Sequence, residues 1–186
     1  MNLISAAVVF SLGFLTMPVW AQSSSHPSPR HIQWVQREVT HKILMLPYYG
    51  VFDAIGFKVE DYTVTLFGKV TRPSLKDDAE RAVKGIEGVD RVNNQIEVLP
   101  ASFFDDDIRR RTFRAIYGYA PLQRYALPPI KPIRIIVDRG HVTLEGVVDS
   151  NGDRNMAYLR ANGVPGVFSV VNHLVVASAK SVAKQK

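Results

Sequence analysis

The chain carries one pattern twice. Displaced by 78 positions and without a gap, residues 59–99 lie over residues 137–177, and 13 of the 41 aligned positions are identical. The matches include Val64-Thr65-Leu66 over Val142-Thr143-Leu144, Gly68 over Gly146, Gly88-Val89 over Gly166-Val167, Val92 over Val170 and Asn94 over Asn172. Nearly all matched residues are apolar or glycine, the types that set a backbone path and the core beneath it. Two copies make a tandem pair of small modules, since a solenoid needs about three repeats or more.

Each copy predicts the same order of elements. A first helix is expected in residues 31–46, where Ile32, Val35, Val39 and Ile43 share one face of a 3.6-residue period. Its counterpart begins at Asp105-Asp106-Asp107, with Ile108, Thr112, Ala115 and Ile116 forming a narrower apolar face and the carboxylates expected to cap the free N–H groups. A hairpin follows in each copy, turning at Asp61-Tyr62 and at Arg139-Gly140, with period-2 alternation in the strand after the turn. The second helix, 75–84 in the first copy, places Ala79, Ala82, Val83 and Ile86 on one side, and Gly85 and Gly163 are expected as left-handed closing residues. A last strand carries Val89, Val92, Ile96 and Val98, matched by Val167, Val170, Leu174 and Val176. The expectation is an α+β fold of two modules. Each runs α-β-β-α-β, with helices on one face of a three-stranded mixed sheet.

Outside the modules the chain changes character. Residues 3–21 are largely apolar and end in Val19-Trp20-Ala21, which fits a cleaved export signal. The same stretch is just long enough to span a bilayer, so an uncleaved anchor is the alternative. Residues 22–31 read as a polar Ser/Pro tether, 32–100 as module 1, 101–178 as module 2 and 179–186 as a basic disordered tail. With no cysteine there is no disulfide and no lipid-modified N-terminal Cys, so the expected location is the periplasm, soluble or peripheral on a membrane, and not as a lipoprotein.

The strand VTLFGKV followed by a helix and GVDRVNNQIEV, and again VTLEGVV followed by GVFSVVNHLVV, resemble the BON domain family. The resemblance covers nearly all of the chain beyond residue 31 and occurs twice. It implies a non-enzymatic bacterial envelope protein, of a kind thought to bind phospholipid membranes.

The residues themselves agree with a non-catalytic reading. The five histidines make no helical i, i+4 pair, no Cys is present as nucleophile or soft ligand, and the shared glycines lie singly rather than in a phosphate cradle. No catalytic residue, metal or cofactor is therefore expected. Charge divides unevenly. Module 1 has nine Lys/Arg against ten Asp/Glu, whereas module 2 has ten against seven and the tail adds Lys180, Lys184 and Lys186, so the net +6 lies in the C-terminal half. In an exported protein the acidic partners are anionic lipid head groups or cell-wall polymers, not nucleic acid.

The candidate binding residues follow from comparing the copies. Where module 1 has Asp78, Glu80 and Arg81, module 2 has Met156, Tyr158 and Leu159, flanked by Arg154 and Arg160. Position 159 is expected to point outward, toward head groups or a partner. The alternatives are that it packs between the modules or that the helix is rotated to bury Tyr158. Arg109, Arg110, Arg111 and Arg114 are expected to face away from the core as a solvated or anion-facing surface. The aromatic and Pro-rich link 117–132 either folds under the sheet edge as a lid or forms an exposed patch with Arg124 and Lys131. Two partners remain open, an anionic phospholipid surface or an envelope protein bound adaptor-fashion. The oligomeric state stays open as well.

Overall fold

The computed structural model describes residues 28–177. The export signal expected at 1–21, most of the tether expected at 22–31 and the basic tail expected at 179–186 lie outside them. Module 1 runs α1 (Pro29–Leu44), β1 (Ala54–Glu60), β2 (Thr63–Val70), α2 (Pro73–Lys84) and β3 (Arg91–Val98). Module 2 repeats it as α3 (Phe103–Tyr117), β4 (Ile133–Asp138), β5 (His141–Val148), α4 (Asn151–Asn162) and β6 (Ser169–Val176). In each sheet the hairpin pair is antiparallel and the third strand lies parallel to the second, giving orders β1-β2-β3 and β4-β5-β6. The fold is α+β, with two three-stranded mixed sheets.

Helix α1 starts two residues before the expected His31, because the Ser28 side chain accepts from the His31 N–H and caps the helix. Its face Val35, Val39 and Ile43 is buried together with Leu75, Ala79 and Val83 of α2 and Val64, Leu66 and Ile96 of the sheet. Module 2 builds the equivalent core from Ile108, Ile116, Val142, Leu144, Ala157, Ala161 and Leu174. One position differs in kind, because Asp153 is buried where module 1 aligns Leu75. The link between α3 and β4 makes up the lost apolar volume. Its residues Ala120–Ala126 form a 3-10 turn that buries Leu122 and Tyr125, and the Tyr125 hydroxyl donates to Asp153 Oδ2 at 3.0 Å. Tyr117 is buried too and its hydroxyl donates to the Ile133 carbonyl at 2.6 Å, with burial raising its pKa. The link is therefore a lid at its buried residues. Arg124 is tied to Asp149 and Asp153, and Lys131 to the carbonyls of Ala126 and Pro128.

The expected left-handed glycines move. Gly85 and Gly163 close their helices at φ −81° and −80°, and the positive φ falls three residues later, at Gly88 (79°) and Gly166 (91°). The helix ends there in a tight turn whose reversal is delayed to the approach of the last strand. Arg109 also departs from expectation. Instead of facing solvent, its guanidinium is buried, donating to Val137 O at 2.7 Å and pairing with Asp106, because its place on α3 faces the end of β4.

The two modules touch along β4. Ile135 N–H donates to Val51 O at 2.9 Å, so the link after α1 covers that sheet edge. Arg134 donates to Gly50 O at 2.6 Å and lies over the Tyr49 ring at 4.5 Å. Ile136, on the sheet face away from the helices, is buried with Ala54 and Leu99, and beside it Lys69 Nζ reaches Asp138 Oδ2 at 3.0 Å. The hydrogen bond from Lys69 holds the Asp138 carboxyl below its ordinary value, against the opposing effect of burial. Its contribution to the junction is therefore present at neutral pH and is lost as acid protonates it below pH ~4.

The mid-strand glycines explain themselves. Gly68 and Gly146 both sit at φ +119°, and a Cβ would lie 2.2 Å from Ala54 O and 1.9 Å from Pro132 O, atoms of the neighbouring strand and its approach. Both strain and collision argue against any side chain there. Gly146→Val is expected to destabilise module 2 by about 1–3 kcal/mol, read as a lower midpoint in denaturant unfolding. An unchanged midpoint would show that the backbone can flatten without cost.

Candidate lipid or partner surface

Helices α3 and α4 pack side by side on one face of the second sheet, and their exposed sides form the candidate surface. On α4, Ala157 and Ala161 point into the core, and successive residues advance by 100°. That puts Leu159 on the far side, and it is 60% exposed. The helix is not rotated and Leu159 does not pack between the modules. A groove of ≈ 320 Å³ runs between the two helices, and Arg111, Arg114, Leu159, Arg160 and Pro165 line it.

The remaining candidates separate. Met156 packs against the core, and Tyr158 and Arg154 lie on the flank of α4 opposite Arg160. Arg160 donates to Ala115 O at 3.0 Å and lies over the Tyr119 ring at 4.9 Å, so it clamps the helix pair while remaining exposed. On α3 the aspartates act otherwise than as caps. Ser102 caps the helix, accepting from the Asp105 N–H. Asp107 pairs with Arg111 at 2.7 Å and more distantly with Arg110 at 3.8 Å. Arg114 forms no ion pair among the described residues.

Asp105 turns inward. Its carboxylate accepts from the backbone N–H groups of Arg139 at 2.9 Å and Gly140 at 2.8 Å, fixing the β4–β5 turn against the start of α3. This tie builds a feature that the repeat comparison did not single out. Phe103 is 97% exposed at the first turn of α3, and next to it Phe104 stacks at 6.2 Å on Phe168, itself 70% exposed. His141 lies 5.9 Å from the Phe168 ring, and its Nδ1 is 2.7 Å from Ser169 Oγ. Phe104 packs over Gly166, as His31 packs over Gly88 at the same end of module 1. There the residue before His31 is Arg30, and Asp61 and Asp90 align with Arg139 and Phe168. That end is mixed in module 1, where the partly buried rings of Trp34 and Tyr62 lie 6.0 and 5.9 Å from the His31 ring among charged residues, whereas in module 2 it is built on exposed phenylalanines. The signal was present in the aligned pair Asp90/Phe168.

Five exposed arginines, 110, 111, 114, 139 and 160, surround this aromatic end and the adjoining groove, against Asp106, Asp107 and the partly exposed Asp138, which lies 3.6 Å from Arg139. Among the described residues no group of three His, Asp or Glu side chains could hold a metal, and no helix is long and apolar enough to cross a membrane. The arrangement offers apolar rings at a tip and guanidinium groups beside it, which suits adhesion to a surface.

The sequence pattern of the BON domain matches residues 33–100 and again 105–178. The osmotically-inducible protein Y of Escherichia coli (strain K12) is 29% identical over 126 residues, 64% of this chain and 60% of that protein. The chain thus spans about three fifths of that relative's length. Two solved structures of CdsD, a structural protein of the type III secretion system of Chlamydia trachomatis, are similar at 11% identity. They cover 81% and 76% of this chain and 96% of each of those chains, with TM-scores of 0.30 and 0.27.

Asp105→Ala removes both acceptors from the β4–β5 turn and leaves one buried donor, Gly140 N–H, and one partly buried donor, Arg139 N–H, unmatched. It is expected to cost about 1.5–3 kcal/mol and to speed hydrogen exchange at the Arg139 and Gly140 amides ahead of the rest of β5. Unaltered exchange at those amides would mean that the turn holds itself.

Proposed function

The chain belongs to the BON domain family, with the domain present in tandem, and from that premise we propose that it is a non-enzymatic protein of the bacterial envelope that docks peripherally on anionic phospholipid through its second module. A periplasmic location accords with the apolar stretch at residues 3–21 and with the relationship to the osmotically-inducible protein Y.

The observation that carries the proposal is the exposed aromatic end of module 2. Phe103 and Phe168 expose most of their rings to water, which is costly unless something covers them. Insertion to the depth of the acyl boundary recovers that cost, and Arg110, Arg114 and Arg139 then meet phosphate groups at the bilayer surface. Leu159 and the groove beside it extend the contact along α3 and α4. At the corresponding end of module 1 the rings of Trp34 and Tyr62 are partly buried beside His31, and Arg30, Asp61 and Asp90 stand where module 2 has Phe103, Arg139 and Phe168. A protein adaptor using the module 2 rings would bind without lipid, and vesicle binding separates the two.

The chain starting at Gln22 should sediment with vesicles of phosphatidylglycerol and phosphatidylethanolamine but not with phosphatidylcholine alone. Binding should fall as salt rises from about 50 mM to about 500 mM, where the Debye length drops below the charge spacing. Phe103→Ser and Leu159→Asp are each expected to weaken binding at least about tenfold, the loss of one inserted apolar group of roughly 1.5–3 kcal/mol. Arg81→Asp in module 1, the position aligned with Leu159, should change it little. Since Phe103 and Leu159 are exposed, thermal unfolding should stay close to the parent's. Folded variants that bind as the parent does would remove module 2's helical face from the account.

A further inference from the structure

The second sheet has two edges, and only one is covered. Val51 bonds to β4, whereas among the described residues no strand lies beside β6. Natural sheets protect an edge with charges, proline or short length. The counterpart strand β3, RVNNQIEV, carries Arg91 and Glu97, but β6, SVVNHLVV, is equally long and carries no Lys, Arg, Asp, Glu or Pro. On the sheet face away from the helices the same exchange occurs. Lys69, Asn93 and Glu97 of module 1 align with Val147, Val171 and Val175, and all three valines are exposed. Module 2 has lost the edge protection that module 1 keeps.

We propose that β6 is a homodimerisation edge, pairing antiparallel with β6 of a second copy about a two-fold axis centred on His173, so that two three-stranded sheets become one of six strands. The strand suits its own copy better than any charged partner. Its polarity is nearly symmetric about His173, so the axis sets Val171 against Val175 of the partner subunit and His173 against the partner subunit's His173. Without charged side chains the edge brings no like charges together, although each chain carries a net +6. Val170, Asn172, Leu174 and Val176 turn their N–H and C=O groups to the free edge, because alternate residues of a strand serve opposite edges. One of these donors is engaged already. Asn172 Oδ1 accepts from Leu174 N–H at 3.2 Å while its Nδ2 donates to Arg154 O at 3.0 Å, and Asn94 does the same for Ile96. Pairing displaces that internal bond, which keeps the dimer reversible. Antiparallel pairing also sets the two aromatic ends at opposite ends of the joined sheet, so a flat bilayer meets one of them.

The chain has no cysteine, so single-cysteine variants report cleanly. In the chain starting at Gln22, His173→Cys should give a disulfide-linked dimer on mild oxidation, since a directly opposed antiparallel pair brings Cβ atoms within bridging reach. Gln95→Cys, the aligned position on β3, should not. Sedimentation equilibrium of the parent should show reversible dimerisation. Val175→Glu, which copies Glu97, should weaken it at least about tenfold with thermal unfolding unchanged. Ending the chain after Ala177 should leave self-association as it was. Stronger association on shortening would assign the edge to the C-terminal segment and overturn the proposal. So would a parent that stays monomeric at concentrations on the order of 100 μM, with no more cross-linking through His173→Cys than through Gln95→Cys.

Discussion

A three-stranded sheet with helices on one side leaves its other face and at least one edge to be disposed of. Each module here is small, has no disulfide, and draws its core from a single helix-covered face. What remains uncovered decides how the two modules behave. Part of it is settled internally, because Ile136 on the uncovered face of the second sheet is buried by Ala54 and Leu99, and the β4 edge by Val51. Lys69 and Asp138 close the same seam with a partly exposed ion pair, worth little alone but placed beside apolar burial. The modules therefore meet as neighbours with a packed contact, and the rest of module 2 is free to carry function.

The repeat keeps its frame and changes its surface. Gly68 and Gly146 survive in both copies because the carbonyls of Ala54 and Pro132 fill the space a Cβ would need. Asn94 and Asn172 survive because each ties the last strand to the second helix and closes an edge donor at once. Many of the residues that changed lie at the turn end, on the outer side of the second helix and along the last strand. Asp90 became Phe168, Asp61 became Arg139, and Glu97 became Val175. With Leu75 against Asp153 as a buried exception, divergence concentrated on the surface of a duplicated fold is what a division of labour between copies looks like physically.

The element order and core faces were legible in the sequence, since glycine and apolar periodicity report backbone and burial directly. Arg109 and Asp105 were not. Their roles are hydrogen bonds to β4 and to the β4–β5 turn, which lie far away along the chain. Gly85 and Gly163 looked like left-handed caps because glycine permits that conformation, but permission is not requirement, and Gly88 and Gly166 take it instead. Leu159 was readable as outward from the helical period, and it stands exposed beside Arg111 and Arg114. Phe103 and Phe104 carried no periodic signal, because their importance depends on Phe168 reaching them from another element.

Adhesion through module 2 is the centre of this account, and it assigns depth to particular residues. Nitroxide-labelled phospholipid in anionic vesicles should broaden the amide resonances of Phe103, Phe104, Arg139, Gly140 and Phe168 most, with a weaker effect along α3 and at Leu159. The corresponding end of module 1, at Arg30, His31, Asp61 and Asp90, should remain sharp. Broadening that is equal in both modules, or strongest in module 1, would contradict the account.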